Sequence, residues 1–166
     1  MGHVDVILEQ WKQQRPDLEL APMGLTSRLS RIGRHLHQAV ERTFAVHGLN
    51  LATFDVLATL RRAGPPYRLS PGDLIATTLV TSGTTTHRID QLVKAGFVER
   101  VENPEDGRSI LVALTPAGLK KVDAAVADHV ANLERLTRGL SDSEFRRLDR
   151  LLARYLDVLE SNQSAE

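Results

Sequence analysis

TTTHRIDQLVKAGFVERVENPEDGR, residues Thr84 to Arg108, is the stretch on which the fold turns. It opens with three β-branched threonines, poor helix formers because χ1 is restricted against the preceding turn. Yet Ile89, Leu92 and Val93 then recur at the spacing of one helical face, and Gly96 is placed to end a helix. "FVERVE" and "SILVAL" follow as two short strand patterns around the turn "NPEDGR". The expected local structure is a helix running straight into a β-hairpin. With Ile89 turned to the core, Thr84, His87, Gln91 and Lys94 cluster on the opposite side beside Gly83. That face is polar, carries hydrogen-bonding ends and contains little acid.

Upstream, helix punctuation is clear. Val4, Ile7, Leu8 and Trp11 form an amphipathic stripe over residues 3–14, which "RPDLELAP" breaks. Leu25, Leu29, Ile32, Leu36, Val40 and Phe44 mark a second helix from about Met23 to His47, stopped by "HGLN". Asn50 can N-cap the next helix, "LATFDVLATLRRA", which ends at "GPP". Ser70-Pro71-Gly72-Asp73 reads as a cap, a proline at the first helical position and an acid at N3, opening a short helix to about Thr78. Thr81 or Ser82 then caps the helix of the opening stretch. Downstream, Thr115-Pro116 caps a long helix, and Ser141 to Glu144 is a capping box for the last one. The tail "SNQSAE" reads as disordered.

The order is four helices, the helix of the opening stretch, a hairpin, then two long helices. A tri-helical unit followed by a hairpin is the plan of a winged helix-turn-helix. The fold class is therefore mainly α with a small β-hairpin wing. Val122, Val126, His129, Leu133, Leu136 and Leu140 alternate steps of four and three, and Phe145, Leu148, Leu152, Tyr155 and Leu159 repeat the pattern. A small winged-helix core cannot cover such stripes at both ends, so a homodimer seam is favoured over packing within one chain. Three regions are expected: 1–47 for dimerisation and ligand pocket, 48–116 as the winged helix and 117–162 for dimerisation.

Composition narrows the function. The chain has 166 residues and no cysteine, which excludes disulfides, a thiol nucleophile and any Cys-based metal site. No apolar run has membrane-spanning length and the first residues lack a signal-peptide pattern, so a cytoplasmic location is expected. Lys+Arg 21 balances Asp+Glu 21, so a nucleic-acid role must rest on where charges sit. His35 and His37 do not share a helix face, and His47, His87 and His129 show no ligand spacing, so no metal or other cofactor is expected.

The polar helix face suits the DNA major groove. Gln91 and Lys94 can reach base edges, His87 lies beside them, and Ser82, Thr84 and Thr85 at the helix start can meet phosphates along with its free N–H groups. Arg108 in the hairpin turn is where a wing would insert a cation into a minor groove. A plain solvated helix face and an ordinary turn arginine are the bland alternatives.

"RIDQLVKAGFVERVENPEDGRSILVALTPAG" resembles the signature of the MarR family of bacterial regulators. Asp106 and Arg108 match the wing Asp-x-Arg, and Leu114 to Gly118 match the "LTPAG" after it. The likeness extends over about residues 25–160. It implies a homodimeric winged-helix protein on a pseudo-palindromic operator, released by a small anionic or phenolic ligand. One departure is Gly107, where the family often has a second arginine.

Four residues fit a DNA role poorly. Arg88 sits at the edge of the reading helix, Asp55 lies among apolar neighbours in "TFDVLATL", Trp11 precedes the usual family core, and Arg100 sits in "FVERVE". A structural Asp55–Arg88 ion pair, simple packing of Trp11 and a strand-edge role for Arg100 are open alternatives. Asp55 and Arg88 are 33 positions apart, and Arg88 and Arg100 12 apart. Both steps resemble the urate-responsive branch of the family, which also carries an extra N-terminal helix with a tryptophan. That likeness implies Trp11, Asp55, Arg88 and Arg100 as ligand residues, with urate or another aromatic or carboxylate effector. An enzyme built on the Asp55/Arg88 pair lacks any nucleophile–base constellation. A winged helix used only for protein contacts is the remaining alternative to a ligand-responsive repressor.

Overall fold

The computed structural model describes residues 2–77 and 85–163. They fall into two compact units that divide between His129 and Val130. The first holds α1 (His3–Gln14), α2 (Ala21–Val46), α3 (Leu51–Arg62), β1 (Arg68–Leu69), α4 (Pro71–Thr77), α5 (Thr85–Lys94), β2 (Val98–Asn103), β3 (Asp106–Leu114) and the start of α6 (Pro116–Thr137). The second holds the rest of α6 and α7 (Asp142–Gln163). The expected cap at Thr81 or Ser82 lies outside the described residues.

Helix ends follow the local chemistry. Asn50 Oδ1 accepts the Thr53 amide at 2.8 Å, and Glu41 of α2 accepts the Leu51 amide at 3.1 Å, so two of the orphan donors of α3 are satisfied. Ser70 Oγ accepts the Asp73 amide at 3.1 Å at the start of α4. At Ser141 the box closes both ways: Glu144 accepts the Ser141 amide at 2.8 Å, and Ser141 Oγ accepts the Glu144 amide at 3.4 Å. Gly96 ends α5 at φ 73°, with its amide bonded to Val93 and the Phe97 amide to Leu92, the doubly bonded left-handed stop that favours glycine. The tail departs from expectation: Ser161 to Gln163 continue α7, and Ser161 Oγ donates to the Asp157 carbonyl at 2.7 Å.

All eight residues from Thr53 to Leu60 are buried, so α3 is covered on every side. Around it one core gathers Phe44, Leu57, Leu60, Leu74, Ile89, Leu92, Val98, Val112, Val122 and Ala125. Phe44 stacks on Phe54 at 4.0 Å between ring centroids, and the His129 ring lies 5.0 Å from Phe44 and 5.7 Å from Phe54. Arg61–Asp123 and His47–Asp128, each at 2.8 Å, tie α3 and the end of α2 to α6. Val122, first in the expected dimer stripe, thus lies in the core of its own chain, whereas Val126, Leu133, Leu136 and Leu140 are exposed.

The sheet has the order β1-β3-β2, all antiparallel. The two-residue β1 has no periodicity to announce it. It exists because Arg68 and Leu69 find Ala113 and Val112 opposite them.

Candidate nucleic-acid interface

α5 is locked on one side and open on the other. Ile89 and Leu92 are buried in the core. His87, Gln91 and Lys94 are exposed, as their helical spacing opposite Ile89 predicts. Gln91 Nε2 lies 3.1 Å from His87 Nε2, one turn earlier. Ser82 and Thr84 lie outside the described residues, and Thr85 is the first residue of α5.

The wing follows at once. β2 and β3 pair regularly from Val98↔Leu114 to Glu102↔Ile110, but the next pair is Asn103↔Asp106. Gly107, Arg108 and Ser109 are therefore looped out of the ladder, with Arg108 in the middle and exposed. The loop is pinned from within. Asn103 Nδ2 donates to Ser109 Oγ at 2.9 Å, Ser109 Oγ donates to the Asp106 carbonyl at 3.0 Å, and Asp106 Oδ1 accepts the Arg108 amide at 3.1 Å. The Asp-x-Arg pattern so acquires a mechanical reading, in which the aspartate folds the bulge that presents the arginine. Gly107 is not demanded by the backbone, since a Cβ there would meet nothing within 4 Å.

The "LTPAG" segment anchors the wing base. Thr115 Oγ1 donates to the Gly96 carbonyl at 2.7 Å and accepts the Gly118 amide at 3.0 Å. One threonine both caps α6 and clasps the turn between α5 and β2.

The four residues ascribed to a ligand are spread over four elements. Asp55 of α3 is only 4% exposed, and Arg88 of α5 is half-buried; both have bonding partners. α3 and α5 pack against each other. Trp11, on α1, is 43% exposed, and α1 packs on α2. Arg100 of β2 reaches a different carboxylate, Asp90 of α5, at 2.6 Å. Nothing in the spacing of Asp90 signals a partner ten positions on, across a turn. A cleft of about 330 Å³ opens between the α2–α3 turn and the C-terminal half of α5, lined by Leu49, Asn50, Thr53, Gln91, Ala95 and Phe97 among others.

Known proteins resemble this chain in sequence and fold. A sequence model of the MarR family matches residues 47–109, from the end of α2 to the wing bulge. The chain is 34% identical over 160 residues to the HTH-type transcriptional regulator PecS of Dickeya dadantii, covering 96% of both proteins. A mutant MarR from E. coli, solved with operator DNA, superposes with a TM-score of 0.68 at 25% identity over 88% of this chain and 97% of that one. Bordetella bronchiseptica BpsR, studied for regulation of its DNA binding by 6-hydroxynicotinic acid, superposes with a TM-score of 0.67 at 26% identity over 80% and 92%. With a helix held by its apolar side, an open polar side and a hairpin wing whose bulge presents Arg108, the chain belongs to the MarR family of DNA-binding transcriptional regulators.

Proposed function

We propose that the protein is a homodimeric repressor that reads a pseudo-palindromic operator and lets go when a small aromatic anion binds. The observation that carries the reading is the exposed His87–Gln91–Lys94 face beside the bulge that presents Arg108. Gln91 and Lys94 address base edges. Ser82, Thr84 and Thr85 address phosphates near the start of the helix, and Arg108 enters the minor groove. Dimerisation is supported by Phe145, Leu148, Leu152 and Leu159 of α7, all large, apolar and exposed. A second copy would cover them and bring two reading helices to two half-sites.

For the effector, Trp11, Asp55, Arg88 and Arg100 form the proposed pocket, with urate the first ligand to test. Arg88 and Arg100 would donate charge-assisted hydrogen bonds to the anion, and Trp11 would stack on it. Arg100 must leave Asp90 to do so. Because Arg88 rides on α5, an anion that draws it away from its present partner would move the reading head. The relative BpsR, with 6-hydroxynicotinic acid, supports the general class of planar anions. The cleft beside Gln91 favours a second reading, since its charge-free lining suits an uncharged phenol.

A gel shift with DNA from upstream of the protein's own coding region, repeated with urate and with a neutral phenol, tests the proposal. Sequence-selective retardation released by urate with quenching of Trp11 fluorescence supports it. No retardation of any duplex would leave a winged helix used for protein contacts.

A further inference from the structure

Asp90 is the one acid in α5, and it lies on the helix proposed above to read DNA. A carboxylate there repels phosphate. It is not left bare: Arg100 Nη2 stands 2.6 Å from its Oδ1, with the two side chains 44% and 45% exposed. The hydrogen bond from Arg100 holds the Asp90 carboxyl below its ordinary range, burial opposes this, and the charges of Arg100, Lys94 and His87 add to the lowering. Arg100, the cation of the neighbouring strand, is thus held by an anion of the reading helix itself.

We propose that Asp90 is a specificity-determining residue that sequesters Arg100 from DNA phosphates and fixes the wing strand β2 to the reading helix α5. Non-specific binding is almost wholly phosphate neutralisation, whereas operator binding adds base contacts made in one geometry. A loose non-specific complex can use any cation that swings free. In the operator complex α5 lies in the groove and β2 beside it, so a freed Arg100 gains less and the two elements lose their tie. Removing the carboxylate therefore strengthens the wrong complexes more than the right one.

This inference rests on the DNA-reading assignment, and one assay separates the two. Operator and scrambled duplexes are titrated by fluorescence anisotropy from 50 to 200 mM salt with wild type, Asp90→Asn, Arg100→Gln and the double variant, each checked by circular dichroism. If wild type does not distinguish the duplexes, the reading assignment itself fails. Given discrimination, Asp90→Asn should tighten scrambled DNA roughly fourfold at the low-salt end, steepen its salt slope by about 0.9, and narrow the ratio between the duplexes. Arg100→Gln should weaken both duplexes by leaving the acid bare, and the double variant should lose the gain on scrambled DNA. Equal weakening of both duplexes by a folded Asp90→Asn would reduce Asp90 to a structural role and overturn the proposal. A gain that survives in the double variant would overturn the part assigned to Arg100.

Discussion

Gly118 stands where any Cβ would fall 1.8 Å from the carbonyl oxygen of Phe97 and 2.8 Å from its carbonyl carbon. The first turn of α6 thus rests directly on the backbone at the corner between α5 and β2, and the Phe97 carbonyl also accepts the Thr115 amide at 3.1 Å. Backbone cannot swing aside as a side chain can. Gly118→Ala should cost about 3 kcal/mol in urea unfolding. Gly33→Ala is the contrast: it lies inside α2 with nothing within 4 Å of a new Cβ, and should gain about 0.5–1 kcal/mol. Equal stability of the two variants would mean that α6 does not sit on this corner.

Base and phosphate contacts should separate by mutation. Gln91→Ala should change the ranking of operator variants, at about 1–3 kcal/mol per lost base contact. Arg108→Ala should weaken all duplexes alike and flatten the salt slope by about one. Gly107→Arg, which the open bulge admits, should steepen the slope by a similar amount. An unchanged salt dependence in both wing variants would take the wing off the DNA.

Deletion of residues 141–166 removes the exposed apolar stripe of α7. Light scattering should then report monomer or aggregate, and operator affinity should collapse. A truncated chain that stays dimeric would move the dimer contact elsewhere.

Burial against Phe44 and Phe54 pushes the His129 imidazole below its ordinary pKa, and its Nδ1 has no hydrogen-bond partner. The sign follows from linkage. The unfolded chain takes up a proton near the ordinary value of 6.5, which the folded chain resists. Stability is therefore full above that value, falls as pH drops through it, and levels off below the depressed folded value. Denaturant midpoints for wild type and His129→Phe between pH 8 and 5 should diverge on the acidic side, with wild type losing more. Parallel curves would show that His129 does not titrate differently on folding.

Effector variants should retain DNA binding and lose release. Arg88→Ala and Trp11→Phe should bind operator like wild type, while urate at micromolar to millimolar concentration frees less of it. About 100-fold preference for the released state, roughly 2.7 kcal/mol, is enough to empty an operator. Release by phenols with urate inert would favour the uncharged cleft beside Gln91.

What the sequence determined by itself is whatever chemistry spans a turn or less. The caps at Asn50, Ser70 and Ser141, the stops at Gly48 and Gly96 and the polar face of α5 are bonds or periodicities between residues three to five apart, so their partners lie in the same short string. Tertiary structure decided the rest. It paired β1 with β3, drew Val122 into the core away from the expected seam, turned Arg100 toward Asp90, and set Gly118 against Phe97. Each of these depends on groups that meet only after the chain has folded back on itself. A two-residue strand, one aliphatic in a long stripe, an arginine in a strand and a glycine in a helix look the same in sequence whichever neighbour they meet. Packing in the one close-packed arrangement that buries Phe44, Leu57 and Leu92 together selects that neighbour.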